Sequence, residues 1–311
     1  MKKKGKWMTS ILSMALVGAM IIPIDSVQAF ETSPNETKIF VNANYVKAWR
    51  YEKDRVLVPL IALNTPPGKG NEIVPVWDSA AKRVTVYTSD KKRIVKLQAD
   101  QLEADVNGDK VKLDVPVRII DGRTFVPLRF VSEALGGEVR WDPESHATYV
   151  RTPVRVKRDG AMRTGALAEA RKEVLNLPWY YPYRDLHPQS KDGAFKVMTF
   201  PEGEALRYWV RDHDLETYVE VNEGGVAVVK WQGRFDAKQG KYVEEQGTHP
   251  DRPNALIVFN RSYAVGGDAT YGRADAKGTF TAEGEFALGP ASSQDADAIV
   301  AISNEVRIPG K

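Results

Sequence analysis

Arg123-Thr124-Phe125-Val126-Pro127-Leu128 decides the reading of this chain, because Arg55-Val56-Leu57-Val58-Pro59-Leu60 is nearly its copy. A second echo lies downstream of each: Trp141-Asp142 answers Trp77-Asp78. The first pair is offset by 68 residues and the second by 64, so the first copy carries a four-residue insertion, placed in Thr65-Pro66-Pro67-Gly68-Lys69-Gly70. Self-similarity of this kind marks a repeated structural unit.

The second copy gives the unit its shape. Val117, Ile119 and Ile120 read as a strand, and Asp121-Gly122 as a two-residue turn that needs positive φ. Thr124 to Val126 return as the partner strand. Pro127 suits a first helical turn, where its missing N–H costs nothing. Leu128, Val131 and Leu135 then fall on one helical face, and Gly136-Gly137 ends the helix. A second hairpin follows, with Val139 and Trp141 on one strand, Asp142-Pro143-Glu144-Ser145 as the turn, and Ala147 to Val150 on the other. Between the copies, alternation through Leu102, Ala104 and Val106, then Asn107-Gly108, then Val111 and Leu113, predicts one more hairpin. Ile39-Phe40-Val41 with Asn42-Ala43-Asn44 leads into the first copy.

These residues carry a family resemblance. Asn107-Gly108, Ile120 through Phe130, Ala134-Leu135-Gly136-Gly137 and Trp141-Asp142 resemble the copper amine oxidase N-terminal, or stalk, domain over about residues 38–152. The first copy departs from the pattern: Ile61 replaces the arginine expected after Val-Pro-Leu, and the helix-ending Gly-Gly is missing. The resemblance implies a non-catalytic appendage, in exported proteins that often carry wall-lytic or wall-binding modules. It does not imply amine oxidation. The oxidase site needs three clustered histidines and a tyrosine-derived quinone. The four histidines here, His146, His187, His213 and His249, form no His-x-His pair. No cofactor and no metal site are therefore expected. Trp77 and Trp141, equivalent in the two copies, read as core anchors, with a paired sugar-stacking platform as the alternative. Arg129, beside the helix start, reads as a salt-bridge or capping residue.

The remainder divides differently. Residues 153–164 lack apolar periodicity and read as a linker or edge strand. Gly165 to Leu177 is helical by pattern, with Leu167, Ala170 and Val174 on one face, and Pro178 stops it. Strands are expected at about 195–200, 205–211, 216–221, 225–231, 255–265, 277–288 and 297–308. The expected fold is thus α+β, mainly β: a duplicated hairpin–helix–hairpin domain, then residues 165–311 as an antiparallel β-sandwich or barrel-like domain with one N-terminal helix. Two groups in this half are candidate site residues. Trp179, Tyr180, Tyr181 and Tyr183 are candidate ligand-binding rings, or else they pin the helix to a sheet. Asp212, His213 and Asp214 could serve acid–base hydrolysis; on a strand, the two aspartates would face one way and the histidine the other.

The N-terminus bounds the setting. Lys2, Lys3, Lys4 and Lys6 precede an apolar run from Ile11 to Ile24, and Val27 and Ala29 occupy the small-residue positions of a cleavage site. Residues 1–29 therefore read as a signal peptide rather than an uncleaved anchor. They carry four lysines and one aspartate, which accounts for the whole formal charge of +3. The rest of the chain is neutral, which argues against nucleic acid as a partner. There is no cysteine for a disulfide or a lipid anchor, and no second apolar run of spanning length. The expectation is a secreted, extracellular bacterial protein with cell-wall association. Its stalk domain attaches or spaces it, and its β-rich module binds a wall polymer or envelope protein. The alternative is a wall-glycan hydrolase with its carboxylates in the C-terminal domain.

Overall fold

The computed structural model describes residues 37–64, 73–189, 195–262, 267–289 and 294–311. Residues 1–29, which the sequence reads as a signal peptide, lie outside these. No described helix is long and apolar enough to cross a membrane.

The chain enters through β1 (Lys38–Val41) and β2 (Asn44–Tyr45), then the hairpin of β3 (Arg50–Glu52) and β4 (Arg55–Pro59). A 3-10 turn covers Leu60–Leu63. The meander of β5 (Ile73–Asp78), β6 (Arg83–Thr88), β7 (Ile94–Gln98), β8 (Glu103–Val106) and β9 (Asp109–Lys112) forms a five-stranded antiparallel sheet. The second copy follows as β10 (Arg118–Ile120), β11 (Arg123–Pro127), α1 (Leu128–Ala134), β12 (Glu138–Asp142) and β13 (Ala147–Arg151). The Asn107-Gly108 and Asp121-Gly122 turns sit where expected, with positive φ at all four residues.

The hairpins of the two copies share their registers. Arg50 pairs with Leu57 as Arg118 pairs with Phe125, a shift of 68 in every pair. Trp77 pairs with Val84 as Trp141 pairs with Thr148, a shift of 64. Their surroundings differ. β4 and β11 join the inner hairpins into one sheet, in the order β10-β11-β4-β3, whereas β12 and β13 share a sheet with β1 and β2. In that sheet β1 runs parallel to β13, from Lys38 beside Ala147 to Val41 beside Val150. The two copies also differ in their helices. In the described residues the first has only the 3-10 turn where the second has α1. The sequence explains this: no Gly-Gly cap follows, and Pro66-Pro67 cannot supply the amides a longer helix would use.

Residues 153–164 correct the linker expectation. They form α2 (Pro153–Thr164), with Thr152 as N-cap and Pro153 at its start. The buried side chains of α2 are Arg155, Asp159 and Met162, so its inward face is mostly charged and shows no apolar period. Arg155 Nε lies 2.7 Å from Asp159 Oδ1, one helical turn away. Burial pushes the Asp159 carboxyl above its ordinary range, against the pull of Arg155 and Arg151. The expected helix is α3 (Leu167–Leu175), which packs on α2.

The C-terminal strands form one sheet, not a sandwich or barrel. They are β14 (Trp179–Tyr180), β15 (Phe195–Pro201), β16 (Arg207–Asp212), β17 (Leu215–Val221), β18 (Ala227–Asp236), β19 (Lys241–Gly247), β20 (Ala255–Ser262), β21 (Asp268–Asp275) and β22 (Phe280–Ala287). Their order is β14-β18-β17-β16-β15-β20-β21-β22, with β19 also on β18, and no pairing among the described residues joins the two edges. One face packs under Met162, Val174, Leu177, Ile299 and Ile302. The other holds Trp209, Tyr218, Trp231 and Leu256. Residues 248–254 cross that second face. His249 packs edge-on against Trp231 with ring centroids 4.7 Å apart, and Arg252 lies over Trp209 while pairing with the buried Glu216. Having cover on both faces is why β17 is buried almost throughout instead of alternating.

β19 and β21 lie outside the strands expected from sequence, and the strand expected at 297–308 is absent. A 3-10 turn at Asp295–Ala298 leads into a tail that packs by side chains. Glu305 holds the tail through Arg171: the pair is bidentate at 2.5 and 2.8 Å, with side chains 2% and 0% exposed. Arg307 donates to the carbonyls of Met162 and Gly165 at the end of α2.

Candidate functional site

Asp212, His213 and Asp214 do not lie along one strand. β16 ends at Asp212 and β17 starts at Leu215, with Asp212 opposite Leu215, so His213-Asp214 is a two-residue hairpin turn with His213 at φ +56°. The alternation expected of the aspartates gives way to two separate attachments. Asp212 binds His213 Nδ1 at 2.6 Å and lies 3.4 Å from Lys196. Asp214 takes Arg234 at 2.8 Å and accepts the Gln189 amide at 3.0 Å. Both carboxylates are thus engaged by structural cations.

The aromatic run serves packing at three of its four positions. Trp179 lies against the helix-side core and donates Nε1–H to the Tyr208 hydroxyl at 2.9 Å. Tyr181 packs on the same core; burial pushes its hydroxyl pKa up, with Asp185 adding to the shift. Tyr180 joins the N-terminal domain to the sheet, packing edge-on against Phe40 at 5.1 Å and beside Tyr45, while Phe40 stacks on Tyr149 at 5.5 Å. Val226 completes this cluster, and Asn222 donates to the Tyr149 hydroxyl at 2.9 Å. Tyr183 alone stays exposed, at 50%.

Of the tryptophans of the two copies, only Trp141 departs from the core-anchor reading. Trp77 is half-buried against the core, but Trp141 is 47% exposed and rests edge-on against His146. The remaining histidines sit apart from one another: His187 is beside Asp185, His213 on Asp212, and His249 on Trp231. Among the described residues no group of three or more His, Asp or Glu side chains could hold a metal. The donor set therefore does not fit the copper of the oxidases.

The N-terminal domain holds a cavity that the sequence did not reveal. It measures about 370 Å³ and lies between α1, β13, the tip of the β6–β7 hairpin and the start of α2. α1 ends in a Schellman arrangement: Gly137 N–H donates to Ser132 O and Gly136 N–H to Glu133 O, with Gly136 at φ +83°. The Gly-Gly pair also permits close packing. A Cβ on Gly137 would lie 3.0 Å from the Ser132 and Arg151 carbonyls, and one on Gly136 would lie 3.1 Å from the Arg93 guanidinium. That guanidinium donates to Ala134 O at 3.4 Å, at the end of α1. Val41, Leu63, Ile73, Leu135 and Val150 give it an apolar lining, together with Arg93, Lys92 paired with Asp90, and Arg151 paired with Glu138 and Asp159. Ser132 also lines the cavity; its hydroxyl is buried without a hydrogen-bond partner. Arg129 is exposed and lines a second cavity, of about 260 Å³, where Arg55 and Lys112 meet Asp54, Asp114 and Glu133.

Residues 37–150 match the family model of the copper amine oxidase N-terminal domain. No curated protein and no solved structure matches the chain.

Proposed function

We propose that this chain, whose residues 37–150 are a copper amine oxidase N-terminal domain, is an exported, non-catalytic protein of the bacterial cell envelope. In this reading the stalk domain is a duplicated unit that attaches or spaces the protein. The C-terminal sheet binds a wall polymer or an envelope protein. The observation that carries the reading is the engagement of Asp212 and Asp214 by Lys196 and Arg234, together with the domain family. The shared hairpin registers support the duplication. The Phe40–Tyr149–Tyr180 cluster supports the two halves acting as one body.

Incubation of the purified protein with isolated cell wall, followed by sedimentation, tests the binding. Retention on the wall is expected, and no retention on wall, glycan or any envelope fraction would reject it. Sequencing of the extracellular protein tests the export, with Phe30 expected as the first residue.

A further inference from the structure

The face of the C-terminal sheet turned away from α2 and α3 carries a row of aromatic rings. Trp209, Tyr218 and Trp231 lie directly opposite one another on β16, β17 and β18. The row continues through Thr199 and Val258 on one side and Gly247 on the other. At about 4.8 Å per strand it spans about 24 Å. The Trp209 and Tyr218 rings are 4.6 Å apart and tilted by 31°. Carboxylates edge the rings: Tyr218 donates to Glu220 at 2.6 Å, Trp231 Nε1–H to Glu245 at 3.0 Å, and the neighbouring Tyr242 to Glu216. A sugar ring offers an apolar face to stack on such rings, and hydroxyls at its edge for the carboxylates to accept.

The segment that covers this row has few attachments. Residues 248–254 cross it between β19 and β20. Thr248 N–H donates to Lys230 O at 3.3 Å, but among the described residues 249–254 make no backbone hydrogen bond. Pro250 and Pro253 have no N–H to give. Two side chains hold the segment: His249 against Trp231, and Arg252 over Trp209 at 5.5 Å while paired with Glu216. Both tryptophans are nevertheless only 1% exposed. The opposite face is closed differently, by two helices and a tail locked through the buried Arg171–Glu305 pair. A cover without backbone bonds opens at much lower free energy than one built into helices or sheet. His249 and Arg252 thus stand where sugar rings would stack.

From the aligned rings, their carboxylate edges and the weakly attached cover, we infer that the Trp209–Tyr218–Trp231 row is a glycan-binding track, closed by residues 248–254 as a strap. The inference rests on the reading of the C-terminal sheet as a wall-polymer binder, and names its surface and the class of its ligand. When the strap lifts, the rings take the sugar faces, while Glu216 and Tyr242, released from Arg252, meet the hydroxyls. Binding and strap closure compete for one surface, so the closed fraction lowers the apparent affinity.

Titration of the purified protein with chitotetraose, followed by tryptophan fluorescence and calorimetry, tests the inference. Saturable one-to-one binding is expected. Arg252→Ala removes the clamp and strands the Glu216 carboxylate under the strap, which should tighten binding about tenfold. Pro250→Gly loosens the strap without stranding a charge and should tighten binding a few-fold. Trp209→Phe keeps a ring in place and should weaken binding several-fold. The inference is overturned if chitotetraose saturates neither the unaltered protein nor Arg252→Ala, or if both strap variants bind like the unaltered protein. Retention on cell wall without chitotetraose binding overturns the track and leaves the wall reading standing. Chitotetraose binding that responds to the strap variants, without wall retention, supports the track and rejects the wall reading.

Discussion

Val58 and Val126 lie opposite each other across the antiparallel pair of β4 and β11, with Leu57 facing Pro127 and Pro59 facing Phe125 on either side. Because the two copies are offset by 68, Val58 meets its own counterpart, while Leu57 meets the counterpart of Pro59 and Pro59 that of Leu57, so Val58–Val126 is the centre of a local twofold. Both valines are fully buried in the same core. Val58→Ala and Val126→Ala should each cost about 2 kcal/mol in urea denaturation. Directly opposed side chains share their neighbours, so the double variant should depart from additivity by about 0.5 kcal/mol or more.

Arg171 and Glu305 form a fully buried bidentate pair, and Arg171 also donates to Glu204 O and lies over the Phe200 ring. Removing one partner strands the other charge. Arg171→Met or Glu305→Gln alone should cost about 3–5 kcal/mol. Replacing both by methionine should recover much of that loss, because the desolvation of both charges is then avoided. Thermal melts of the three variants distinguish these outcomes.

Glu52 on β3 and Arg118 on β10 bridge the two edge strands of their sheet with contacts of 2.6 and 2.9 Å. Hydrogen bonding to Arg118 holds the Glu52 carboxyl below its ordinary value of 4.5, against a smaller opposing effect of burial. A depressed acid stabilises the fold above its unfolded value, and that stabilisation is lost as pH falls through the folded value. Stability should therefore decline as pH drops below about 4.5. Glu52→Gln should flatten that part of the profile while costing about 1 kcal/mol or less at neutral pH, since the pair is partly exposed. Urea midpoints measured across acid pH read the difference.

Gly224 approaches the Tyr149 ring so closely that a Cβ would overlap it. Its φ is not in the left-handed region, so the demand is for space. Gly224→Ala should cost about 1–3 kcal/mol by overpacking. It should also raise hydrogen exchange at the Asn222–Val226 turn and in β13, while the five-stranded β5–β9 sheet stays protected.

The turns and strands of the second copy were legible because their signals are local: Asn107-Gly108 and Asp121-Gly122 demand positive φ, and Pro127 and Gly136 bracket a helix. α2 was not legible, because it buries Arg155 and Asp159 as a pair, and hydrophobic periodicity cannot register a buried charge. The tail misled for the opposite reason. Ile299 and Ile302 are buried as strand residues would be, but they pack against the sheet face without pairing. The turn at His213-Asp214 separates side chains that strand alternation would have placed together. The cavity had no sequence signature, since its wall is gathered from elements scattered between residues 41 and 154.

The parallel pairing of β1 with β13 has a mechanical consequence. The chain enters this pair at the Lys38 end and leaves it at the Arg151 end. Tension between the two ends pulls the strands past each other along their length. Their inter-strand hydrogen bonds then bear the load together, in shear, and cannot be peeled open one at a time. Pulled through its ends, this domain yields only when the whole ladder gives way.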